Sequence, residues 1–357
     1  MRELRPHAPA LCYKILLEPF THFLTGACLG RAGFNRKTAL ATATMTLAAE
    51  APDLDVFWGF KGPVYGFAHH RGFTHSFLGS VVISAIVTGF MYLVWRIRGQ
   101  RTNTPKLPPR WALLFGLAYL ASLSHILLDY TNNYGVRPFW PFGEKWYSWN
   151  VAFIVEPPML LLLLAALILP ALVLRARPRS RALFARVALL AVLLLWMVRF
   201  YQGTKAVRLL KDQPHNSEAA LRASAFPYWA HDPGHLIAMR WSGVVETRSF
   251  YILAPVNPAT GQLDPAEMTV IPKPAQTPAI LAAERSRLGR VYLDWAGYPL
   301  VTEDSQGGDT VVFFRDLRFG YSPSPRHTIL EAHVTLDGNL NVIGEAMGDR
   351  QQKPPLD

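Results

Sequence analysis

The sequence predicts an all-α multipass membrane helical bundle followed by a small β-rich soluble domain of the α+β kind. Two observations carry that prediction. Long apolar runs crowd the chain up to residue 201, whereas the remainder is rich in proline, glycine and charge. The loops between several of those runs carry arginine and lysine without acid, a topology signal of membrane proteins. Half of the 357 residues are hydrophobic and only 17% are charged, too apolar for a pair of ordinary soluble domains. We therefore expect a membrane domain over residues 1–201 and a soluble domain over 202–357.

The elements follow in order. Residues 21–30 and 38–49 are two modestly apolar stretches around a basic, glycine-containing turn. Each is shorter than the roughly 20 residues that cross a bilayer, so a short or re-entrant helical hairpin is expected, its backbone covered by protein. No cleavable signal peptide is expected before it. Residues 77–95 are continuously apolar and make the first transmembrane helix; Arg96, Arg98, Arg101, Lys106 and Arg110 follow without an acid. Residues 111–128 make the second, with Trp111 at its interfacial end. The connection 129–150 is polar and aromatic, and Trp140, Trp146, Tyr147 and Trp149 suit a membrane-water boundary. Residues 159–174 form the core of a third helix. A second acid-free loop holds Arg175, Arg177, Arg179 and Arg181, and residues 183–200 form the fourth span, with Arg186 snorkelling to headgroups.

If one crossing separates each basic loop from the next polar loop, both basic loops lie on one side, which the positive-inside rule makes cytoplasmic. His22, the Glu50 to Asp55 stretch, His70, His75, the end of the second span and everything after Phe200 then face the extracytoplasmic side of a bacterial inner membrane. In the C-terminal domain, residues 219–225 suggest a short helix, and 244–253, 290–293, 310–314 and 328–336 read as strands. Asp337-Gly338-Asn339 makes a hairpin turn before 340–343.

Composition narrows the chemistry. The net charge of +11 is concentrated in short loops and marks topology, so no nucleic-acid partner is expected. Only Cys12 and Cys28 are present, which excludes a disulfide framework and a thiolate zinc site. Histidine and carboxylate must supply any metal ligands, and they gather in three places. His69, His70 and His75 precede the first span; Asp53 and Asp55 follow Pro52; His125 and Asp129 end the second span. His125 and Asp129 are one helical turn apart on one face, where either an ion pair or shared ligation would satisfy them. Asp53 and Asp55 alternate, so an extended backbone would point both carboxylates to one side. Two close anions repel unless a cation intervenes, although an exposed acidic turn is as good a reading of that segment alone. His70 and His75 suit zinc, His69 suits an orienting or interfacial role, and Arg71 suits a substrate phosphate or carboxylate. Thr74 and Ser76 read as caps of the following helix rather than nucleophiles.

These motifs carry a resemblance. Thr21-His22 through Gly26, Pro52-Asp53-Leu54-Asp55, His70-Arg71-Gly72-Phe73-Thr74-His75-Ser76 and His125-Ile126-Leu127-Leu128-Asp129 resemble the YdjM-like family of membrane-bound proteins regarded as metal-dependent hydrolases. The resemblance covers about residues 20–200. That family is itself distantly similar to zinc-dependent phospholipase C, which implies helix-borne zinc and phosphoester cleavage. Carried onto this chain, the resemblance implies His22, Asp53, Asp55, His70, His75, His125 and Asp129 as metal ligands, and Glu50 as a further ligand or a general base. Nothing in it covers residues 202–357.

The expectation is a membrane-bound metal-dependent hydrolase holding one or more divalent ions, zinc first and manganese as the alternative. Its expected substrate is a lipid or lipid-linked phosphoester from the bilayer, positioned by Arg71. The C-terminal domain is expected to gate the site, select headgroups or bind a protein partner. The alternative is a non-catalytic metal-binding membrane protein acting as a sensor or scaffold. Transport fits less well, because the ionisable residues gather at helix ends rather than along a midplane path.

Overall fold

The computed structural model describes residues 10–99, 107–170, 178–213, 218–232, 235–263, 267–306, 308–320, 330–348 and 350–352. The chain separates into two compact units, Met1–Asp55 with Arg71–Val198, and Val56–His70 with Arg199–Asp357. The first is helical, and the second carries two antiparallel sheets.

The helical unit begins with α1 (Ala10–Arg31) and α2 (Ala41–Glu50). The expected hairpin is present, but its first arm is a longer helix that runs through Pro19. Gly26 and Gly30 let the two arms touch: a Cβ at Gly26 would lie 2.6 Å from the Met45 carbonyl oxygen, and one at Gly30 would lie 2.5 Å from the Thr42 Cα. Small residues one turn apart are how helices in lipid bring their backbones together. This contact sets His22, on α1, beside the C-terminal end of α2.

Three helices are long and apolar enough to cross a membrane: Phe77–Ile97, Trp111–Thr131 and Ser180–Lys211. They lie in α4 (Phe77–Gly99), α5 (Trp111–Thr131) and α7 (Pro178–Lys211), with α3 (Pro63–His69) ahead of α4 in the chain and α6 (Pro157–Ile168) between α5 and α7. Of the third expected span, α6 is the described part; residues 171–174 lie outside the described residues, as do Arg175 and Arg177 of the loop that follows. Two apolar clusters hold the unit. Met45 and Ala48 of α2 pack with Ile83, Val87 and Met91 of α4 and Leu114 and Ala118 of α5. Leu24 and Cys28 of α1 pack with Leu163 of α6 and Ala188, Val192 and Trp196 of α7. Val82, Ile86, Phe90 and Leu93 of α4 and Leu190, Leu194 and Met197 of α7 remain exposed, as a surface solvated by lipid requires.

The helix expected to end near Phe200 continues to Lys211. Its last turns are the core of the second unit: Ala206 and Leu210 are buried among Trp241, Ile252 and Val256. One sheet runs β1 (Arg222–Asp232), β2 (His235–Glu246), β3 (Phe250–Asn257) and β4 (Gln262–Leu263), with β5 (Thr269–Pro272) also pairing β3. After α8 (Pro278–Arg285) and α9 (Arg287–Trp295), β6 (Pro299–Gln306), β7 (Asp309–Asp316), β8 (Ala332–Leu336), β9 (Val342–Met347) and β10 (Arg350–Gln352) form the other in sequence order. Phe226, Val244, Leu253 and Ile271 of the first sheet bury Tyr298, Leu300 and Leu317 near the second.

Some expectations for this region fail locally. Residues 219–225 enter strand β1 rather than a helix. Arg290 to Leu293 lie in α9, because Leu288, Tyr292 and Trp295 recur at helical spacing and Ser286 caps the Gly289 N–H at 3.0 Å. The run 244–253 is broken by a turn in which the Phe250 N–H reaches Thr247 Oγ1 at 3.1 Å. The hairpin at Asp337 is present, closed by the Asp337 N–H on the Asn341 carbonyl at 3.0 Å.

Candidate metal centre

Three elements meet at one end of α5. The helix itself places His125 and Asp129 one turn apart, with Nε2 and Oδ2 3.3 Å from each other. The 3-10 segment Ala51–Lys61 follows α2 directly and carries Asp53 and Asp55. A second 3-10 turn, Phe73–His75, carries His75 into the start of α4. Asp53, His75, His125 and Asp129 offer one ligand atom each, all within 4.8 Å of one another.

The separations fit a cation. His75 Nε2 lies 3.0 Å from His125 Nε2, 3.2 Å from Asp129 Oδ2 and 3.4 Å from Asp53 Oδ1, and His125 Nε2 is 3.4 Å from the same Asp53 oxygen. Tetrahedral zinc with bonds of about 2.0–2.2 Å separates neighbouring donors by about 3.3–3.6 Å. His75, His125 and Asp129 are fully buried, while the Asp53 side chain is 21% exposed.

The tautomers make the same point. His125 Nδ1 is 2.7 Å from the Ala49 carbonyl oxygen, which can only accept, so that nitrogen carries a proton, and in the neutral ring that a metal requires Nε2 presents a lone pair. His75 Nδ1 is 3.3 Å from Asp55 Oδ2, which turns its Nε2 lone pair inward in the same way. Two lone pairs and two carboxylate oxygens facing one point repel, and a divalent ion placed among them removes the conflict. Outer partners that hold a ligating imidazole by its far nitrogen are the usual support of such a site. Burial alone would pull the His75 imidazole down, but the carboxylates of Asp55, Asp129 and Asp53 outweigh it and hold it well above its ordinary value, so without an ion a proton takes the place on the ring that a divalent ion would claim.

The remaining candidates take different places. Asp53 and Asp55 were expected on extended backbone; their 3-10 turn instead sends them to opposite nitrogens of one imidazole, so Asp55 orients His75 and stands apart from the four converging donors. His22 stacks on His125 with ring centroids 3.7 Å apart and brings Nε2 within 3.5 Å of Asp129 Oδ1, the oxygen turned away from the four. His70 is not in the converging group and belongs to the unit formed with Arg199–Asp357. Arg71 is 2% exposed and its guanidinium is already engaged: Nη2 pairs with Asp129 Oδ1 at 2.9 Å, and Nη1 donates to Asn132 Oδ1 and the Gly135 carbonyl. A buried guanidinium so occupied positions Asp129, where contact with a substrate phosphate was expected. Glu50 ends α2 with Oε2 buried and no hydrogen-bond partner among the described residues. Burial first, and Asp53 second, push its carboxyl up to about 7.

Ser76 caps α4 as expected, accepting from the Gly79 N–H at 2.9 Å. Thr74 does not; its hydroxyl reaches His75 Nδ1 at 3.0 Å and Asp55 Oδ2 at 3.4 Å. His69 is stacked on Tyr65, and Glu156 accepts the Phe153 N–H ahead of α6. The side chains of His231 and His235, and residues His215 and His327, lie outside the described part. Sequence reasoning missed the Ala49 carbonyl, which is backbone and leaves no trace in residue type. It also missed Asn132, which ties Arg71 to the turn after α5.

Comparison with known proteins reaches the same part of the chain. The chain is 29% identical over 159 residues to the uncharacterized protein YfhP of Bacillus subtilis (strain 168), covering 42% of this chain and 45% of that relative's length. No solved structure matches. The pattern of the YdjM inner membrane protein family matches residues 17–206, more than half of the chain and all four converging donors. The chain belongs to the YdjM inner membrane protein family.

Proposed function

We propose that the protein is a membrane-bound metal-dependent hydrolase that cleaves a phosphoester of a lipid or lipid-linked substrate. The observation that supports this most is the convergence of two imidazole lone pairs and two carboxylates, three of the four donors buried and Asp53 partly open. A divalent ion held there, zinc or manganese, would supply Lewis acidity that favours ionisation of water near neutral pH and would stabilise anionic charge. Asp53, His75, His125 and Asp129 would hold it. Asp55, Arg71 and the Ala49 carbonyl keep those ligands oriented, and Glu50 takes the proton from the attacking water. In hydrolysis the water oxygen bonds to phosphorus, the ester P–O bond breaks, and the departing alkoxide gains a proton. Orientation follows the basic loops: the positive-inside rule puts this end of α5 and the C-terminal region on the extracytoplasmic face.

One observation favours the non-catalytic reading, a metal-binding sensor or scaffold. Four protein donors are enough to fill a tetrahedral shell without water, which suits a structural ion. The test is elemental analysis of detergent-purified protein, wild type against Asp53→Ala and His75→Ala, followed by phosphate or headgroup release from mixed phospholipid vesicles. Stoichiometric metal lost in both variants, with hydrolysis by the wild type alone, is expected. Metal retained without hydrolysis of any phospholipid leaves the scaffold reading in place. No metal in folded, zinc-resupplied wild type ends both.

A further inference from the structure

The connection that leaves α5 just after Asp129 is built as a stiff arm. At its base Asn132 Oδ1 accepts the Tyr134 N–H at 2.9 Å and Arg71 Nη1 at 3.2 Å, and the Tyr134 ring lies 4.8 Å from the same guanidinium. Farther out, Val136 and Tyr147 exchange N–H and carbonyl groups, both at 2.9 Å, and the Arg137 guanidinium covers Trp146. The arm then leans on the chain to either side of His75. Trp140 and Phe73 meet edge to face at 5.5 Å, as do Phe139 and Phe77. The Phe77 N–H, an orphan donor of the first turn of α4, donates to the Pro138 carbonyl at 2.9 Å.

The tip is Phe139-Trp140-Pro141-Phe142, closed by the Phe142 N–H on the Phe139 carbonyl at 2.9 Å. Phe142 is 88% exposed and Phe139 50%, and the charged residues Glu144 and Lys145 come only behind them. An apolar end on a charged neck suits a membrane-water boundary. Phe139 also continues the outward face of α4, where Phe77, Leu78, Val81 and Val82 are exposed on a helix apolar enough to span a membrane. The far end of that helix carries a second aromatic group, Tyr92 and Trp95 packed on Trp111 at 5.1 and 5.6 Å. Along α4, Phe77 and Trp95 are separated by about 27 Å, close to the roughly 30 Å of bilayer hydrocarbon. The arm therefore stands where one boundary of the bilayer falls, and His75 precedes Phe77 by two residues.

We infer that this arm is a lipid anchor: Phe139 and Phe142 lie among the acyl chains beside α4, and the base of the arm holds the metal donors level with the phosphate groups of that leaflet. The occupant is bilayer lipid, because the apolar face that the tip continues is already a lipid-facing one. The consequence for substrate rests on the hydrolase reading proposed above. The arm favours a phospholipid whose phosphoester reaches the centre while its acyl chains stay in the membrane; a phosphoester dissolved in water gains nothing from it. Phe139 and Phe142 are positioning residues, placed outside the group of converging donors.

The test uses the full chain in vesicles of phosphatidylethanolamine and phosphatidylglycerol. A photoreactive benzoylphenylalanine is placed at Phe142 in one sample and at Lys145 in another, and the adducts are weighed by mass spectrometry. Phospholipid adducts at position 142, severalfold more than at 145, are expected. Adducts to protein at 142, or no lipid adduct there, overturn the anchor. The second readout is phosphate or headgroup release from the vesicles and from monomeric dihexanoyl phospholipid. The paired change Phe139→Ser with Phe142→Ser should slow release from vesicles about tenfold and leave the monomeric lipid unaffected, and Phe139→Leu with Phe142→Leu should restore the vesicle rate. Equal losses on both lipids, or no loss on vesicles, overturn the positioning role. Wild type that hydrolyses neither lipid ends the hydrolase reading, and the adducts at 142 still decide the anchor.

Discussion

Each unit buries a cluster of charge, and the two clusters are satisfied in opposite ways. In the C-terminal unit Asp316 is fully buried, and its oxygens accept from the N–H groups of Gly297, Tyr298 and Arg318 and from the Arg318 guanidinium. Arg318 in turn donates to the Trp295 carbonyl and lies over the Trp295 ring. Donors and acceptors match, and nothing further is required. At the end of α5 the acceptors outnumber the donors: two imidazoles are committed through Nδ1, and their Nε2 atoms face each other and two carboxylates. A buried polar network that is complete holds a fold together; one that is short of positive charge at a single point is a site.

The sharpest way to break that contrast is His75→Ala. Loss of a buried ligand should abolish stoichiometric metal by elemental analysis while leaving the helical content of the protein intact. Retention of full metal would show that the four donors are an internal polar network like the other.

Next in size is Asp316→Ala. It strands the Arg318 guanidinium, and removing one partner of a buried pair costs about 3–5 kcal/mol. Denaturant unfolding of the solubilised chain should show that loss, with metal content per folded molecule unchanged. Metal lost in step with stability would erase the distinction between a structural and a functional cluster.

Asp55→Asn sharpens the boundary inside the site. As an orienting partner it should lower zinc affinity about 10-fold to 100-fold and leave binding saturable at high zinc. An effect as complete as that of His75→Ala would make Asp55 a ligand. The smallest effect is expected from Ser286→Ala, which removes the cap of α9 at a cost of about 1 kcal/mol. Thermal unfolding should record it, and zinc affinity should not.

Much was legible in the sequence because it depends on local period and length. The apolar runs of α4, α5 and α7 announce membrane helices, and the four-residue spacing of His125 and Asp129 puts both on one face. The Asp337 turn marks its own hairpin. Where local preference was ambiguous the sequence misled. Arg290 to Leu293 has the residues of a strand, yet the burial of Leu288, Tyr292 and Trp295 on one side makes it a helix.

By itself, then, the sequence determined the membrane class, the β-rich character of the C-terminal region and the residue types able to hold a metal. Only the tertiary structure decided which atom of each residue faces which partner. The carbonyl that orients His125 comes from 76 residues away. Asp53 and Asp55 are two residues apart but serve opposite nitrogens of one ring, because a 3-10 turn rather than an extended strand carries them. Arg71 turns inward to Asp129, and residues 56–70 join the C-terminal body through Phe67. Residue type and spacing report what a side chain is able to do; long-range packing chooses its partner, and that choice separates a ligand from its support.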